Sequence, residues 1–401
     1  METLKILFST SFYPPYHLGG DAIHVKYLAE ELAKKGHEVH VLCSLDAYQI
    51  KRKNFNVSKQ ESDKKNIFVH RIKSPLNGIN PLIVYVLGRS LYVQKKFSVL
   101  LKEVSPNIVH HHNISLLGYS ILEKKNSYLS LYTAHDYWLI CQTNNLLRNG
   151  RRICDKKQCY SCAIGSKRFP QLWRRFTSFK RAVRSIDLLI SPSDFVRRRL
   201  SQEIEVKSLT LPNFAPNPPA GIPPTGFSNY FLFAGLLEKH KGILNLLNLF
   251  NENRHDLKAR LVIAGGGSLE NYVHNYIEKN SLGKIISFLG FVDQKKLYAL
   301  YSNALALIVP SICPENAPLV VLEALSVGTP VIVSNTGGLP EIMKKVDAKL
   351  IFNDIDHLKD IILSFSEKDF SSSKIKQICE QNFSSEAYVN NYIRIVKNIS
   401  G

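Results

Sequence analysis

The sequence predicts an α/β protein built from two doubly wound parallel sheets. The chain of 401 residues is too long for one typical compact core. Short apolar runs alternate with segments of helical periodicity in the first half, and a second such set begins at Tyr230. Between the two sets, residues 211–225 contain six prolines, which is typical of a stiff linker between domains.

The first domain is expected to begin with a buried strand at residues 4–9. A loop with Gly19 and Gly20 follows, and then a helix that ends at Gly36 and leads into a strand at residues 39–42. One face of this helix is apolar and consists of Val25, Leu28, Ala29 and Leu32. The lysine-rich residues 48–66 are predicted to form a loop.

Further strands of the first domain are predicted at residues 108–110, 128–133 and 187–190. Ligands of open parallel sheets bind at the carboxyl ends of the strands, so we expect residues 110–113 and the pair His135 and Asp136 to line a cleft. Consecutive strand residues point to opposite faces. His110, His111 and His112 are therefore not expected to bind one metal ion together.

The second domain is predicted to repeat this pattern. Strands are expected at residues 230–233, 261–264, 285–288, 306–309 and 331–334. The glycines at 265–267 are expected to form a tight turn, since their spacing does not fit a dinucleotide-binding fingerprint. A last helix is predicted at residues 385–399, with Tyr388, Tyr392 and Val396 at helical spacing.

The segment at residues 313–341 carries the strongest chemical signal. Pro318 suits the first position of a helix, and the free N–H groups of the first turn favour a phosphate. Glu315 lies before that helix, and Glu323 lies in its second turn, where a carboxylate can accept hydrogen bonds from two adjacent hydroxyls. Phosphate and diol together are what a nucleotide presents. A capped helix with solvated acids is the alternative.

This segment closely resembles the donor-site signature of the retaining glycosyltransferases of family 4, also called group 1. Matching motifs follow in family order along nearly the whole chain, at residues 12–42, 106–113, 133–136, 191–200, 211–214, 233–242 and 264–270. The resemblance implies the GT-B fold, in which two Rossmann-like doubly wound domains face a cleft. Residues 1–211 would form the acceptor-side domain and residues 212–384 the nucleotide-sugar-binding domain. The last helix, within residues 385–401, would pack back on the first domain.

The resemblance also implies roles for individual residues. His135 and Asp136 would contact the transferred sugar, and Glu315 would lie near it. The donor nucleotide-sugar would be bound by Gly19, Gly20, Lys239, Lys241, Asn316, Ala317, Pro318, Leu319, Val320 and Glu323. Lys241 corresponds to the lysine that pairs with the donor phosphates. Leu236 stands where family members usually carry an arginine, so one phosphate contact is either missing or supplied by another residue, for which Lys239 is the candidate. No cofactor is expected for catalysis, and the nucleoside-diphosphate sugar is a co-substrate.

The formal net charge of +19 predicts an anionic partner, such as nucleic acid, a membrane surface or a phosphorylated substrate. Positive residues concentrate between Arg148 and Arg184, where Asp155 is the single acid. The aromatic residues Trp173, Phe176 and Phe179 lie among them. A basic helix with such residues is typical of binding to anionic lipid headgroups, and a solvated face is the alternative. No nucleic-acid-binding motif accompanies the charge, so nucleic acid is not expected as a partner.

Four of the seven cysteines cluster, and the last two form a CxxC pair. In a cytosolic protein such a group indicates a structural zinc site more than disulfides, with free thiols as the alternative. The candidate ligands are Cys141, Cys154, Cys159 and Cys162.

The resemblance implies a glycosyltransferase that moves a sugar, with retention, from a nucleoside-diphosphate sugar to a cell-envelope or polysaccharide acceptor, expected to be lipid-linked. A sugar-nucleotide epimerase, a phosphorylase-like enzyme and a membrane-surface binding protein are the competing hypotheses. Residues 1–16 do not fit a signal peptide and no run of some twenty apolar residues is present. We therefore expect a cytoplasmic protein that binds peripherally to the inner face of the cell membrane.

Overall fold

The computed structural model describes residues 3–51, 64–75, 78–123, 128–150, 152–155 and 157–400. The chain divides into two compact units. Unit 1 comprises Met1–Asn149, Lys156–Pro212 and Glu386–Gly401, and unit 2 comprises Gly150–Asp155 and Asn213–Ser385. The chain therefore leaves unit 1 at Pro212 and returns to it for its last sixteen residues, Glu386–Gly401.

Unit 1 is a seven-stranded sheet with strand order β3-β2-β1-β4-β5-β8-β9. The strands of the chain up to Pro212 are β1 (Lys5–Ser9), β2 (Glu38–Ser44), β3 (Ile67–Ile72), β4 (Ile108–His111), β5 (Leu129–Thr133), β6 (Leu147–Arg148), β7 (Arg152–Ile153), β8 (Leu188–Ser191) and β9 (Ser208–Thr210). The helices of unit 1 are α1 (Gly20–Lys34), α2 (Leu45–Lys51), α3 (Ile79–Leu87), α4 (Leu91–Val104), α5 (Cys159–Gly165), α6 (Thr177–Arg184), α7 (Asp194–Ser201) and the C-terminal α15 (Ser385–Ser400).

The central strands β1, β2, β4, β5 and β8 pair in parallel, and most of their side chains are buried on both faces. Continuous apolar runs such as KILFS in β1 arise from this burial, because helices cover both faces of a parallel sheet. The strand order reverses between β1 and β4. In such sheets the ligand-binding crevice lies outside the carboxyl ends of the strands at this reversal.

Unit 2 is a six-stranded parallel sheet with strand order β12-β11-β10-β13-β14-β15. Its strands are β10 (Tyr230–Ala234), β11 (Arg260–Ala264), β12 (Ile286–Phe288), β13 (Ala306–Val309), β14 (Val331–Ser334) and β15 (Ile351–Phe352). Its helices are α8 (Ile243–Glu252), α9 (Glu270–Lys279), α10 (Gln294–Asn303), α11 (Leu319–Ser326), α12 (Leu339–Val346), α13 (Ile355–Ser364) and α14 (Ser372–Phe383). Here the order reverses between β10 and β13.

The helix α15 packs on the sheet of unit 1 through aromatic side chains. The hydroxyl of Tyr392 lies 3.1 Å from Nδ1 of His110, and the two rings are stacked. Tyr388 contacts the ring of His24 edge-on. Tyr388, Val389 and Tyr392 are buried, so this helix completes the core of unit 1.

Some sequence-based expectations differ from the structure. Residues 45–51 form the helix α2, so the start of the predicted loop at 48–66 is helical, and residues 52–63 lie outside the described part of the chain. Trp173 and Phe179 are buried in the core of unit 1 and do not form an exposed aromatic face with Phe176. Helical spacing alone does not tell a core-facing stripe from a surface-facing one.

Arg174 also belongs to the interior. Its Nη1 donates to the carbonyl oxygen of Trp138 (2.5 Å) and its Nε to Oε1 of Gln171 (2.6 Å), while the guanidinium lies 4.7 Å from the ring centre of Trp173. This arginine therefore stabilises the unit by packing and hydrogen bonding. Among the described residues, no helix combines the length and apolar composition that crossing a bilayer requires.

Candidate functional site

The loops that follow β10 and β13 bring Lys241 and Glu315 together at the strand-order reversal of unit 2. Lys241 ends a short 3₁₀ turn (Lys239–Lys241), and its Nζ donates to Oε1 of Glu315 at 2.6 Å. The hydroxyl of Ser311 donates to the same oxygen, also at 2.6 Å. Backbone hydrogen bonds from Ile312 and Cys313 to the carbonyl oxygen of His240 hold the two loops together.

Glu315 is a charged group at neutral pH despite its burial. Burial would raise the pKa of this carboxyl group, but the Lys241 ammonium and the hydrogen bonds from Lys241 and Ser311 hold it below its ordinary value. Burial would lower the pKa of Lys241, yet Glu315 keeps it above the ordinary value. Nζ of Lys241 has three hydrogens and gives one to Glu315, so it can still donate to an anionic ligand.

Two glycines allow the close approach of backbone that frames this pair. Gly337 has φ of 63°, and a Cβ there would lie 2.2 Å from the carbonyl oxygen of Glu315. Gly338 N–H donates to that same oxygen at 2.7 Å. Gly242 has φ of 76°, and a Cβ there would lie 1.8 Å from the carbonyl oxygen of Pro310. Both positions require glycine, because the conformation and the space exclude larger residues.

The helix α11 begins next to Glu315. Pro318 is its N-terminal cap and not its first helical residue as the sequence suggested. The backbone N–H groups of Leu319 and Val320 belong to the first turn, where α-helical N–H groups have no partner within the helix. Nδ2 of Asn213 donates to the carbonyl oxygen of Ala317 at 3.0 Å, and this hydrogen bond orders the backbone that leads into α11.

Glu323 projects from the second turn of α11 and is buried. The hydroxyl of Tyr301, on α10, donates to its Oε2 at 3.1 Å. Burial raises the pKa of Glu323 to about 7, against the smaller opposing effect of that hydrogen bond. A carboxylate accepts several hydrogen bonds, so Tyr301 leaves capacity for the two hydroxyls of a ribose.

The remaining donor-side residues are less closely joined to this group. Lys239 is exposed on the same 3₁₀ turn as Lys241, and Asn316 is buried beside Glu315 along the chain.

The glycine turn after β11 is tight for reasons of packing. A Cβ at Gly265 would lie 1.8 Å from the carbonyl oxygen of Gly235, and the N–H groups of Gly267 and Ser268 donate to the carboxylates of Glu270 and Glu238.

A second group of polar residues gathers at the carboxyl ends of β1, β4 and β5 in unit 1. Nε2 of His135 lies 2.9 Å from Nδ1 of His112, and the two rings are stacked. The ring of His24, from α1, packs edge-on against His135. His110 and His112 share one face of β4, whereas His111 points to the other face and hydrogen-bonds to Ser9. The alternation predicted for the three histidines is therefore observed.

The imidazoles of this group are neutral near pH 7. Burial lowers the pKa of His135 to about 4 and that of His111 to about 3. The pKa values of His24, His110 and His112 are lowered too, first by burial and then by the neighbouring histidines. A neutral imidazole donates one hydrogen bond and accepts one, which suits binding of a sugar hydroxyl better than neutralising a phosphate.

Two carboxyl groups lie at the same end of unit 1. Burial raises the pKa of Asp136 to about 7, although its Oδ1 accepts a hydrogen bond from the N–H of Trp138 at 2.8 Å. Asp21 follows Gly19 and Gly20 at the start of α1, and Nδ2 of Asn113 donates to its Oδ2 at 2.6 Å. Burial raises the pKa of Asp21 as well. Gly19, with φ of 83°, caps the helix that carries Asp21 and His24.

A pocket of about 940 Å³ opens in unit 1 near residues 139–142. Arg174, Arg175 and Lys180 line it with the polar side chains of Gln158 and Ser161. Its two carboxylates are already paired, since Glu203 accepts from Lys157 at 2.6 Å and Glu205 accepts from Arg184 at 3.0 Å. The pocket therefore keeps an excess of positive charge.

The structure does not assemble the predicted zinc site. Among the described residues, which include all four candidate cysteines, no group of three or more His, Cys, Asp or Glu side chains is arranged to hold a metal ion. Sγ of Cys141 lies 3.2 Å from the hydroxyl of Thr143, while Sγ of Cys162 contacts the carbonyl oxygen of Leu147 at 3.6 Å. Neither Cys154 nor Cys159 forms a disulfide bond.

Sequence reasoning missed several residues that shape these groups. Ser311 and Tyr301 hold the two carboxylates of unit 2. In unit 1, His24 packs against His135, and Asp21 accepts a hydrogen bond from Asn113, a residue of the expected cleft lining. Asp21 directly follows a glycine pair and lies in the first turn of α1, so its position could be predicted from the motif. Tyr301 lies in a different helix from Glu323, and no pattern in the sequence connects the two.

Comparison with known proteins agrees with this architecture. Residues 18–214 match the family described as Glycosyltransferase Family 4, and residues 223–382 match the family described as Glycosyl transferases group 1. The two matches together span both units. The chain belongs to the group 1 glycosyltransferases of family 4, and it has their GT-B fold of two Rossmann-like parallel-sheet domains.

Individual relatives and solved structures match all or part of the chain. An uncharacterised glycosyltransferase of Methanocaldococcus jannaschii is 27% identical over 85% of this chain and 83% of its own length. The O-antigen chain mannosyltransferase B of Escherichia coli is 28% identical over 48% of this chain and 55% of its own. Sucrose-phosphate synthase of Thermosynechococcus elongatus superposes with a TM-score of 0.74 at 18% identity over 99% of each chain.

A further solved structure carries a nucleotide. The Anabaena protein HepE, in complex with UDP and glucose, superposes with a TM-score of 0.63 at 15% identity over 98% of this chain and 100% of its own. At this identity the likeness shows the fold alone.

Proposed function

We propose that this glycosyltransferase moves a sugar, with retention, from a nucleoside-diphosphate sugar bound by unit 2. The ion pair of Lys241 and Glu315 is the observation that carries the proposal. It lies at the strand-order reversal of the sheet, beside the first turn of α11. Such a position favours an anionic ligand, because a fixed cation and unpaired N–H groups are available together.

The donor can be assigned to the group residue by residue. Lys241, with Lys239 on the same turn, neutralises the pyrophosphate, and the N–H groups of Leu319 and Val320 donate to it. Glu323 accepts the ribose hydroxyls. Glu315 lies next to Lys241 and orients it, and it also contacts the sugar. These groups stabilise the negative charge that develops on the leaving phosphate, which is the largest electrostatic need of the reaction.

Unit 1 is proposed to supply the acceptor side. His135 and Asp136 contact the transferred sugar, and Gly19 and Gly20 allow backbone N–H groups to approach the donor phosphates. Retention follows from the family resemblance and is compatible with attack on the same face as the departing phosphate. The positively charged pocket of unit 1 favours an acceptor that carries phosphate, such as a lipid-linked glycan at an anionic membrane surface. The O-antigen relative supports a polysaccharide product.

Thermal-shift measurements with UDP-, GDP- and ADP-sugars test the donor site. A ligand that binds only the folded protein raises its melting temperature, so one nucleotide series should shift the wild type. Lys241→Met should lose most of this shift. Lys258→Met is the matched control, because Lys258 is an exposed lysine of the same unit.

Transfer assays complete the test. Glu315→Gln should reduce turnover by about 100-fold or more, since removal of one preorganised contact costs about 3 kcal/mol in the barrier. Circular dichroism should show an intact fold. The proposal fails if Lys241→Met responds to nucleotides as the wild type does, or if Glu315→Gln keeps normal turnover.

A further inference from the structure

The helix α3 (Ile79–Leu87) is apolar on both of its sides. Its sequence, INPLIVYVL, has no charged residue. Pro81 and Val84 are buried in unit 1, whereas Leu82, Val86 and Leu87 are each more than half exposed. A helix that is apolar all round is normally buried. The exposed side of α3 therefore indicates a surface made for contact with an apolar phase or partner.

A second segment extends this surface. The hydroxyl of Tyr85, on α3, donates to the carbonyl oxygen of Phe169 at 3.0 Å, and Nε1 of Trp173 donates to the carbonyl oxygen of Tyr85 at 3.0 Å. These bonds hold residues 169–176 beside α3. Three apolar side chains of that segment are more than half exposed, and with those of α3 they form what we call the apolar patch: Leu82, Val86, Leu87, Phe169, Leu172 and Phe176.

The sequence around the apolar patch contains cations but no acids. Residues 64–102, which include α3, have eight Lys and Arg and no Asp or Glu. Residues 156–186, which include the second segment, have nine Lys and Arg and again no acid. Lys95, Lys96, Lys167, Arg168 and Arg175 are exposed. Apolar side chains flanked by many Lys and Arg and no acids are typical of surfaces that bind anionic lipid.

We propose that the apolar patch and its cations dock this chain on an anionic lipid bilayer. The apolar side chains would enter the boundary between headgroups and acyl chains, and the Lys and Arg side chains would contact the anionic headgroups. The inference rests on the proposed function in one respect, because docking on a bilayer brings the protein to a lipid-linked acceptor. It names a surface of unit 1 outside the two polar groups described above.

Vesicle sedimentation of the full-length protein tests the proposal. The probes are vesicles of neutral phosphatidylcholine and vesicles that also contain phosphatidylglycerol, each at low and high salt. The wild type should sediment with the anionic vesicles and should be released in part by salt. Lys95→Gln/Lys167→Gln/Arg168→Gln should bind them roughly 100-fold more weakly, since each cation near the surface contributes about 1 kcal/mol.

Substitution of the apolar side chains separates insertion from charge attraction. Leu82→Ser/Phe169→Ser/Leu172→Ser should weaken binding by roughly tenfold or more while salt still acts on the remainder. Phe291→Ser is the matched control, because Phe291 is an aromatic residue of unit 2 that is also more than half exposed. It should sediment as the wild type does.

The opposing outcomes are distinct. Equal sedimentation with neutral and anionic vesicles, or wild-type binding by the serine variant, would overturn the proposal. A dimer in mass photometry without lipid that the serine variant abolishes would identify the apolar patch as a self-association surface and would overturn it too. The nucleotide-dependent thermal shift should be unchanged in every variant. If the wild type shows no such shift, the proposed function fails and the vesicle result is still decisive for docking.

Discussion

The burial of Glu323 connects a single side chain to the pH dependence of stability. Its pKa is about 7 in the folded protein against an ordinary 4.5, so between these values the folded chain holds a proton that the unfolded chain has lost. Stability contributed by this group therefore falls as pH rises from 4.5 to 7 and is level above that window. Glu323→Gln has no carboxyl group at this position, so its free energy of unfolding should not fall with pH in this way. The amount by which it exceeds that of the wild type should grow to about 3 kcal/mol by pH 7.

Urea denaturation of both proteins at intervals between pH 4 and pH 8 measures this difference. Gln keeps an oxygen that accepts the hydrogen bond of Tyr301, so the substitution changes the charge more than the packing. Asp136 has a pKa raised to about 7 as well, but it is present in both proteins and its effect cancels in the comparison. A difference that stays constant across the window would contradict the burial argument.

At the scale of elements, the loop between β14 and α12 fixes the backbone of Glu315. Gly337→Ala should destabilise the protein by about 2 kcal/mol or more, because a Cβ there meets the backbone of Glu315 at 2.2 Å and the residue has positive φ. The nucleotide-dependent thermal shift should fall with it, since Glu315 and Lys241 would be displaced.

Gly283→Ala is the matched control for this loop, because a Cβ at Gly283 meets no atom within 4 Å. Its stability and nucleotide response should equal those of the wild type. Wild-type behaviour of Gly337→Ala in both measurements would show that the loop tolerates a side chain and that the close approach does not matter.

The contact of α15 with β4 rests on one buried hydrogen bond and a stacked pair of rings. Tyr392→Phe should keep the ring and remove the hydroxyl that lies 3.1 Å from Nδ1 of His110. The buried imidazole would lose that partner, at a cost of about 1 to 3 kcal/mol in the free energy of unfolding. Tyr272→Phe, at an exposed tyrosine of unit 2, should change nothing in the same denaturation experiment. Equal denaturation midpoints for the two variants would show that the hydrogen bond between Tyr392 and His110 does not stabilise the protein.

At the scale of the whole molecule, the proposed donor site would supply its own positive charge through Lys241 and the first turn of α11. We therefore expect sugar transfer to continue at an unchanged rate in excess EDTA. Circular dichroism of the same sample should show that the chelator leaves the fold intact. Loss of activity on chelation, restored by added Mg²⁺ or Mn²⁺, would show that a metal ion neutralises the pyrophosphate.

Much of the fold could be predicted from the sequence because buried parallel strands consist of short apolar runs of residues. The strand expected at residues 230–233 is observed as Tyr230–Ala234, and the one expected at 108–110 as Ile108–His111. The loops that follow such strands carry the candidate site, so Lys241 and Glu315 could be named from their motifs. Their contact at 2.6 Å is a property of the folded unit.

The rest could not be predicted because it depends on which face of an element meets the core. Trp173 and Phe179 have the spacing of a surface stripe and are buried, whereas the apolar side chains of α3 are exposed. The cysteines have ligand-like spacing in the sequence, but their sulfur atoms meet separate partners such as Thr143 and Leu147. The periodicity of a sequence predicts that one face of an element is apolar, but it does not predict what packs against that face.

The return of the chain to unit 1 for its last helix sets an order of events during synthesis. The 173 residues of unit 2 between Asn213 and Ser385 are made after the sheet of unit 1 and before α15. At bacterial and eukaryotic elongation speeds this interval lasts roughly 10 to 35 s. Throughout it, the nascent sheet lacks the tyrosines that cover His24 and His110. The core of unit 1 is thus completed only after unit 2 has been synthesised, and the side chains of His24 and His110 stay uncovered by α15 during that interval.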